Sequence, residues 1–205
     1  MTLTNATADS AECKYQRRLY NEAAYYHRTY RCGFCNIVVD IQNDFVDGAL
    51  GTAEAQAIIA PAVSKINNFD GHIFVTYDTH YADYLSTSEG RKLPVEHCIK
   101  DTNGWQLNPQ IKTALSGKEY TEVIKNTFGS KDLPAIIAKV ADGEDFSVEL
   151  IGLCTDICVV SNALYLKANF PEFDISVDSA CCAGVTPETH NAALDTMRCC
   201  QIDVK

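Results

Sequence analysis

The chain has 205 residues, 46% of them hydrophobic and 21% charged, as expected of one soluble globular domain with a sizeable core. Its 17 basic residues against 27 acidic ones leave a net charge of −10, which argues against nucleic acid or an anionic membrane surface as partner. No apolar run approaches the roughly 20 residues of a spanning helix, and the amino terminus lacks the basic-then-apolar layout of a signal peptide.

Residues 1–35 are polar and rich in tyrosine and arginine, and read as an N-terminal extension, partly helical, with a helix over roughly 11–29. They end in Cys32-Gly33-Phe34-Cys35, whose CxxC spacing suits a redox pair or half of a zinc site, although no second CxxC exists and no helix clearly follows. From residue 36 to 205 the pattern is that of one domain in which strands and helices alternate. Asn36–Asp40 is a β-branched run ending in a carboxylate. Glu54–Phe69 has helical periodicity, with Ile58, Ile59, Val63 and Ile66 on one side. His72–Tyr77 is a second strand, closed by Asp78. Residues 78–109 are polar and irregular, and a loop of that length in a compact domain is usually functional. Glu122–Lys125 reads as the third strand, Leu133–Val140 as a short helix and Ser147–Leu153 as the fourth strand. A long helix over Thr155–Ala168 follows, then a strand over Asp174–Val177, a helix over Pro187–Arg198 with proline in its first turn, and a terminal strand over Gln201–Val204.

This alternation predicts an α/β fold: a three-layer α/β/α arrangement around a mainly parallel six-stranded sheet, Rossmann-like in plan. Ligands of such sheets sit beyond the carboxyl ends of the strands. Asp40, Asp78, Lys125 and Cys158 all fall at or just past strand ends, and chance would not readily gather four reactive groups on one rim. Cys158 lies in the first turn of the long helix, where unpaired N–H groups and the helix dipole favour thiolate. The bland reading is a small buried apolar residue. An aspartate can take a thiol proton and return it to a departing amine, and a lysine beside it balances the charge, so Asp40, Lys125 and Cys158 form a candidate nucleophilic set. Asp78 and His80 are two apart just after a strand and point to one side in extended backbone, with His97 further along the same loop. Two imidazoles and a carboxylate suit one divalent ion: zinc, iron or manganese.

The pieces Asp40-Ile-Gln-Asn-Asp-Phe45, Asp78-Thr-His80, Pro94-Val-Glu-His97-Cys98, Lys125 ahead of Phe128-Gly129, and Gly152-Leu-Cys-Thr155-Asp156-Ile-Cys158-Val159 stand in an order and spacing that resembles the isochorismatase-like cysteine hydrolase superfamily, nicotinamidase type, over residues 36–204. The resemblance implies Asp40 as general base and acid, Lys125 as its partner and Cys158 as nucleophile. It also implies a cis peptide before Cys154, with the N–H groups of Cys154 and Cys158 forming an oxyanion hole. The metal ligands it implies are Asp78, His80 and His97, with Glu89 as the fourth and Asp83 in reserve. Phe45 would wall the substrate pocket.

The departures from the family are the 35-residue leader and Pro94, which stands where relatives often carry a ring-stacking tryptophan; Trp105 is nearby but outside the motif. The implied activity is hydrolysis of a small carboxamide, nicotinamide to nicotinate and ammonia, in NAD salvage. A ureido or carbamoyl amidohydrolase is the nearest alternative, a vinyl-ether hydrolase is a more distant one, and a non-catalytic or redox protein using Cys32 and Cys35 belongs to a different class. Ten cysteines, two pairs of them adjacent, in a chain that is not short point to reduced thiols and a cytoplasmic setting. Relatives of this type often self-associate, so a homo-oligomer is the default expectation.

Overall fold

The structure, a computed structural model, describes residues 33–141 and 146–205. The helix expected over 11–29 and Cys32 lie outside these residues. Six strands form one sheet, all parallel: β1 (Phe34–Val39), β2 (His72–Asp78), β3 (Tyr120–Lys125), β4 (Ser147–Leu153), β5 (Asp174–Ala183) and β6 (Asp203–Val204), in the order β3-β2-β1-β4-β5-β6. Among the described residues seven α-helices accompany them: α1 (Asn43–Val46), α2 (Ala53–Ala57), α3 (Ile59–Asn68), α4 (Pro109–Leu115), α5 (Leu133–Ala141), α6 (Val160–Asn169) and α7 (Pro187–Cys199).

The central strands are apolar without polar alternation because both faces are covered. Successive side chains therefore enter opposite cores. Val38, Val75 and Ile151 pack with Ile59 and Ile66 of α3 and Ile111 and Leu115 of α4. Ile37, Phe74 and Leu150 pack with Ile137 of α5, Leu166 of α6 and Met197 of α7. Each fully buried aliphatic side chain contributes about 1.5–3 kcal/mol, so the two cores hold the sheet as the middle of three layers. No described helix is long and apolar enough to cross a membrane.

Several boundaries differ from expectation, each for a local reason. β1 begins at Phe34, two residues early, and Cys35 is fully buried in it with its thiol pushed up to about 12 by burial; half of the CxxC pair is thus sealed in the sheet. The helix expected over 54–69 breaks at Ile58, since Pro61 has no N–H to offer the carbonyl of Ala57. Helix α4 was not anticipated; Asn108 caps it by accepting from the Gln110 N–H at 3.0 Å, and Pro109 opens its first turn. β5 runs on to Ala183 past a register shift opposite Leu150–Gly152, with polar Asp178 and Ser179 in the irregular stretch. The helix expected from Thr155 starts instead as a π-helical turn, Thr155–Val159, in which the Val159 N–H reaches back five residues to the carbonyl of Cys154 at 3.0 Å.

The chain leaves β1 toward β2 and β3 on one side, and β4 to β6 lie on the other. The carboxyl ends of β1 and β4 consequently diverge, and a crevice opens between the loops that follow them. At its base Gly152 has φ +120°, and a Cβ there would overlap the carbonyl of Val39. Only glycine lets β4 come this close to the end of β1, beside Asp40.

Candidate active site

Three strand ends and one turn deliver the reactive groups. Asp40 follows β1 directly, at φ +47°, and is fully buried. Its carboxylate accepts the Thr76 hydroxyl at 2.6 Å, while its own N–H donates to that hydroxyl at 3.2 Å. Asp78 and Lys125 end β2 and β3 as register partners. The buried Lys125 ammonium lies 2.7 Å from Asp40 Oδ2, 3.2 Å from Asp78 Oδ1 and 3.5 Å from Cys158 Sγ. Cys158 sits on the π-helical turn. Its carbonyl accepts from the Asn162 amide at 2.8 Å, and that amide also spans to the Phe128 carbonyl and the Ser130 N–H, tying the turn to the loop after β3.

Burial sets the charge states. It pushes Asp40 above the usual carboxylate range, with the Lys125 ammonium opposing and the Asp78 charge adding to the rise. It pushes the Cys158 thiol well up, again opposed by Lys125. Burial alone would lower Lys125, but Asp40, Cys158 and Asp78 together hold it firmly protonated. The thiolate expected from a helix start is thus corrected: desolvation outweighs the helix end, and the resting group is a thiol beside the Lys125 ammonium. The Leu153–Cys154 peptide is cis.

A second cluster adjoins the first through Asp78. His80 Nε2 lies 2.9 Å and His97 Nε2 3.7 Å from Asp78 Oδ2, and donor atoms of the three residues all fall within 4.8 Å of one another. Glu89 Oε1 is 3.6 Å from His80 Nε2 and 3.9 Å from His97 Nε2. Asp83 is exposed at the start of a 3-10 turn and stands outside this group. The residues fit a metal ion. His97 Nδ1 is engaged with the Val95 carbonyl at 2.8 Å, which leaves Nε2 free to ligate. His80 Nε2 is buried, close to a carboxylate, yet makes no aligned hydrogen bond. Donors about 2.1 Å from one ion stand about 3–3.5 Å apart, near the spacing seen here.

Sequence reasoning missed the residues that hold this loop. The Gln42 side chain brackets the Asp78 backbone, accepting from its N–H at 2.8 Å and donating to its carbonyl at 2.9 Å, and donates also to the Trp105 carbonyl at 2.8 Å. Asp44 accepts the Cys98 N–H at 2.8 Å. The His80 backbone pairs with Cys98 and Lys100, which brings His97 beside His80.

Both clusters open into one cavity of ≈ 240 Å³. Cys158, Asp78, Glu89 and His97 are reached from it, and Phe45, Leu50, Leu93, Phe128, Ile157 and Val185 form apolar walls. Phe45 is both core and wall, packed 5.5 Å from the His97 ring. Cys154 also lines the cavity. Neither Pro94 nor Trp105 is among the lining residues; Trp105 packs on Tyr77 and donates to the Thr79 hydroxyl at 2.8 Å. Leu93 and Val185 carried no signal beyond being apolar residues in loops, and Phe128 stood in a recognised motif without a wall role assigned to it.

A parallel sheet with a buried acid, ammonium and thiol at its switch point is the architecture of an α/β enzyme. Residues 35–204 match the isochorismatase domain, and the chain belongs to that family. It is 27% identical over 182 residues to the nicotinamidase/pyrazinamidase of Mycobacterium tuberculosis, covering 82% of this chain and 96% of the relative. A pyrazinamidase of Pyrococcus horikoshii, solved in complex with zinc, superposes with TM-score 0.72 at 24% identity, covering 84% of this chain and 98% of that one. The N-carbamoylsarcosine amidase of Thermoplasma acidophilum superposes with TM-score 0.70 at 26% identity, covering 84% and 95%.

Proposed function

We propose that the chain hydrolyses nicotinamide to nicotinate and ammonia through a thioester on Cys158. The observation that carries this reading is the buried ammonium of Lys125, 3.5 Å from Cys158 Sγ and 2.7 Å from Asp40. Asp40 takes the thiol proton; burial, which raises Asp40, makes it a stronger proton acceptor, and Lys125 compensates the charge that moves. The sulfur attacks the amide carbon, and the developing oxyanion is received by the N–H groups of Cys154 and Cys158, at about 10²–10³ in rate per donor. Asp40 returns the proton to the departing ammonia. Water, deprotonated by Asp40, then cleaves the thioester, releases the carboxylate and restores the thiol.

Asp78, His80 and His97, with Glu89 as fourth ligand, would hold one divalent ion, and the mixed nitrogen and oxygen donors suit zinc, with iron and manganese as alternatives. Such an ion supplies a Lewis-acidic anchor for a ring nitrogen. The cavity lies below the roughly 300–1,000 Å³ of drug-sized sites and suits one small ring with its carboxamide. The eight described free cysteines fit a reducing, cytoplasmic setting.

The likeness to N-carbamoylsarcosine amidase supports a second reading, a ureido or carbamoyl substrate on the same three residues. Ammonia release from nicotinamide, pyrazinamide, ureidoacrylate and carbamoylsarcosine, with and without chelator, separates the two. Nicotinamide turnover that chelation weakens, and that Cys158→Ala abolishes, is the expected result. Turnover of the ureido compound alone would replace the substrate, and activity surviving in Cys158→Ala would end the thioester.

A further inference from the structure

We infer that His190 is a positioning residue, holding the turn that carries the nucleophile through the hydroxyl of Thr155. The inference rests on Cys158 being that nucleophile.

Thr155 is fully buried between Cys154 and Cys158, and its Oγ1 lies 2.8 Å from His190 Nδ1 on α7. Among the described residues, no other group comes within hydrogen-bonding reach of that hydroxyl. Burial holds His190 below the ordinary imidazole range, with only Asp156 opposing, so the ring is neutral, and its Nδ1 shares one hydrogen bond with the Thr155 hydroxyl whose direction follows the ring tautomer. A second contact acts alongside. Both carboxylate oxygens of Asp156 stand 3.2 Å from the Val185 N–H. The segment between these contacts is itself fixed. Thr186 and Thr189 form a reciprocal capping box, and the His190 N–H bonds to the Thr186 carbonyl at 2.9 Å. A Cβ on Gly184 would come within 2.9 Å of the His190 backbone, so the approach of α7 to this segment depends on glycine there.

Residues 184–190 therefore grip residues 155–156 at two points, while Gly184 and Val185 line the same cavity as Ile157 and Cys158. The grip sits between the two N–H groups assigned to the oxyanion. A misplacement of about 1 Å at a reacting centre can cost on the order of 100-fold, and a buried hydroxyl parted from His190 loses the hydrogen bond that ties the turn to α7. Nothing in this network touches substrate; it acts by fixing where Cys158 and its neighbours point.

The test uses the full chain and two readouts: steady-state nicotinamide hydrolysis, and the rate at which iodoacetamide alkylates Cys158, resolved by peptide mass spectrometry. His190→Ala is expected to lower kcat about 10- to 100-fold with KM within about twofold, and to slow alkylation as the sulfur drifts from Lys125. His190→Asn, whose side-chain oxygen can replace Nδ1, is expected to stay within about threefold of the parent, as is Thr155→Ser. Thr155→Val should match His190→Ala, and the double variant should fall no further than either single one. A folded His190→Ala with parental kcat and alkylation rate overturns the inference, as does a double variant showing the product of the two losses. If His190→Ala does not fold, Thr155→Val against Thr155→Ser decides by the same criteria. Activity persisting in Cys158→Ala would instead strike the thioester reading, and were no amide turned over, the alkylation rates alone would decide.

Discussion

Asp40 shows how little freedom the chemistry leaves. As the proposed base it must be a carboxylate to accept the Cys158 proton, yet burial raises its pKa above the usual value of about 3.9. The base is active when deprotonated, so kcat/KM should fall as pH drops through this raised value, on the acid side of the profile. The Thr76 hydroxyl donates to the charged carboxylate and opposes the rise. Thr76→Val removes that donor, lifts Asp40 further and should move the acid limb to higher pH, while the plateau rate above it stays within about threefold. A limb that does not move would remove Asp40 from the role of base. At this scale the sequence exposed the identities well, because Asp40, Asp78 and Lys125 each close a recognisable strand. It hid Thr76, which reaches Asp40 only because β2 lies beside β1 with Val39 in register with Thr76. It also misled on the thiol: the helix start is visible in a sequence, whereas the desolvation that overrides it comes from residues scattered over the whole chain.

Between β2 and α4 the chain must hold His97 against Asp78 and His80 with one short 3-10 turn as its regular structure. Gln42 does much of this work from the loop after β1. Its fully buried side chain satisfies the Asp78 N–H, the Asp78 carbonyl and the Trp105 carbonyl together. Gln42→Leu keeps the volume and leaves those groups without partners, at about 1–3 kcal/mol for each one unsatisfied. Zinc affinity, measured by competition with a chromogenic chelator, should weaken about 10- to 100-fold, the range for groups that orient metal ligands; an unchanged affinity would mean the loop is held by other means. Strands and long helices were legible from periodicity to within a few residues, since burial on two faces writes continuous apolar runs. What periodicity could not show was set by single residues or by pairing: the break before Pro61, the helix opened by Asn108 and Pro109, and the extension of β5 past its register shift. The loop that bears Glu89 and His97 was legible as functional only through its length and its histidines.

The whole sheet is arranged to bring distant segments to one crevice. β1 and β4 end side by side there, β2 and β3 contribute Asp78 and Lys125 from the next positions, and the segment between β5 and α7 closes in from the far side with Val185. A ligand ion bound by residues 78 to 97 would therefore clamp the loop that roofs the cavity onto the carboxyl edge of the sheet, and its binding energy would appear as fold stability. At a free zinc concentration 100-fold above its dissociation constant the gain is about 2.7 kcal/mol, which for a chain of this size corresponds to a rise in Tm of about 5–10 °C. The expected order of response follows the geometry. His97→Ala and His80→Ala should abolish the rise, because each removes one of three buried donors within 4.8 Å. Glu89→Gln should keep part of it, because that carboxylate stands further out, at 3.6 Å and 3.9 Å from the imidazoles, and is partly exposed. Cys158→Ala should show the parental rise, since the sulfur lies on the Lys125 side of Asp78 rather than among the imidazoles. Scanning calorimetry of these variants with zinc and with chelator makes the measurement, and a Tm indifferent to zinc in the parent chain would remove the metal from the site.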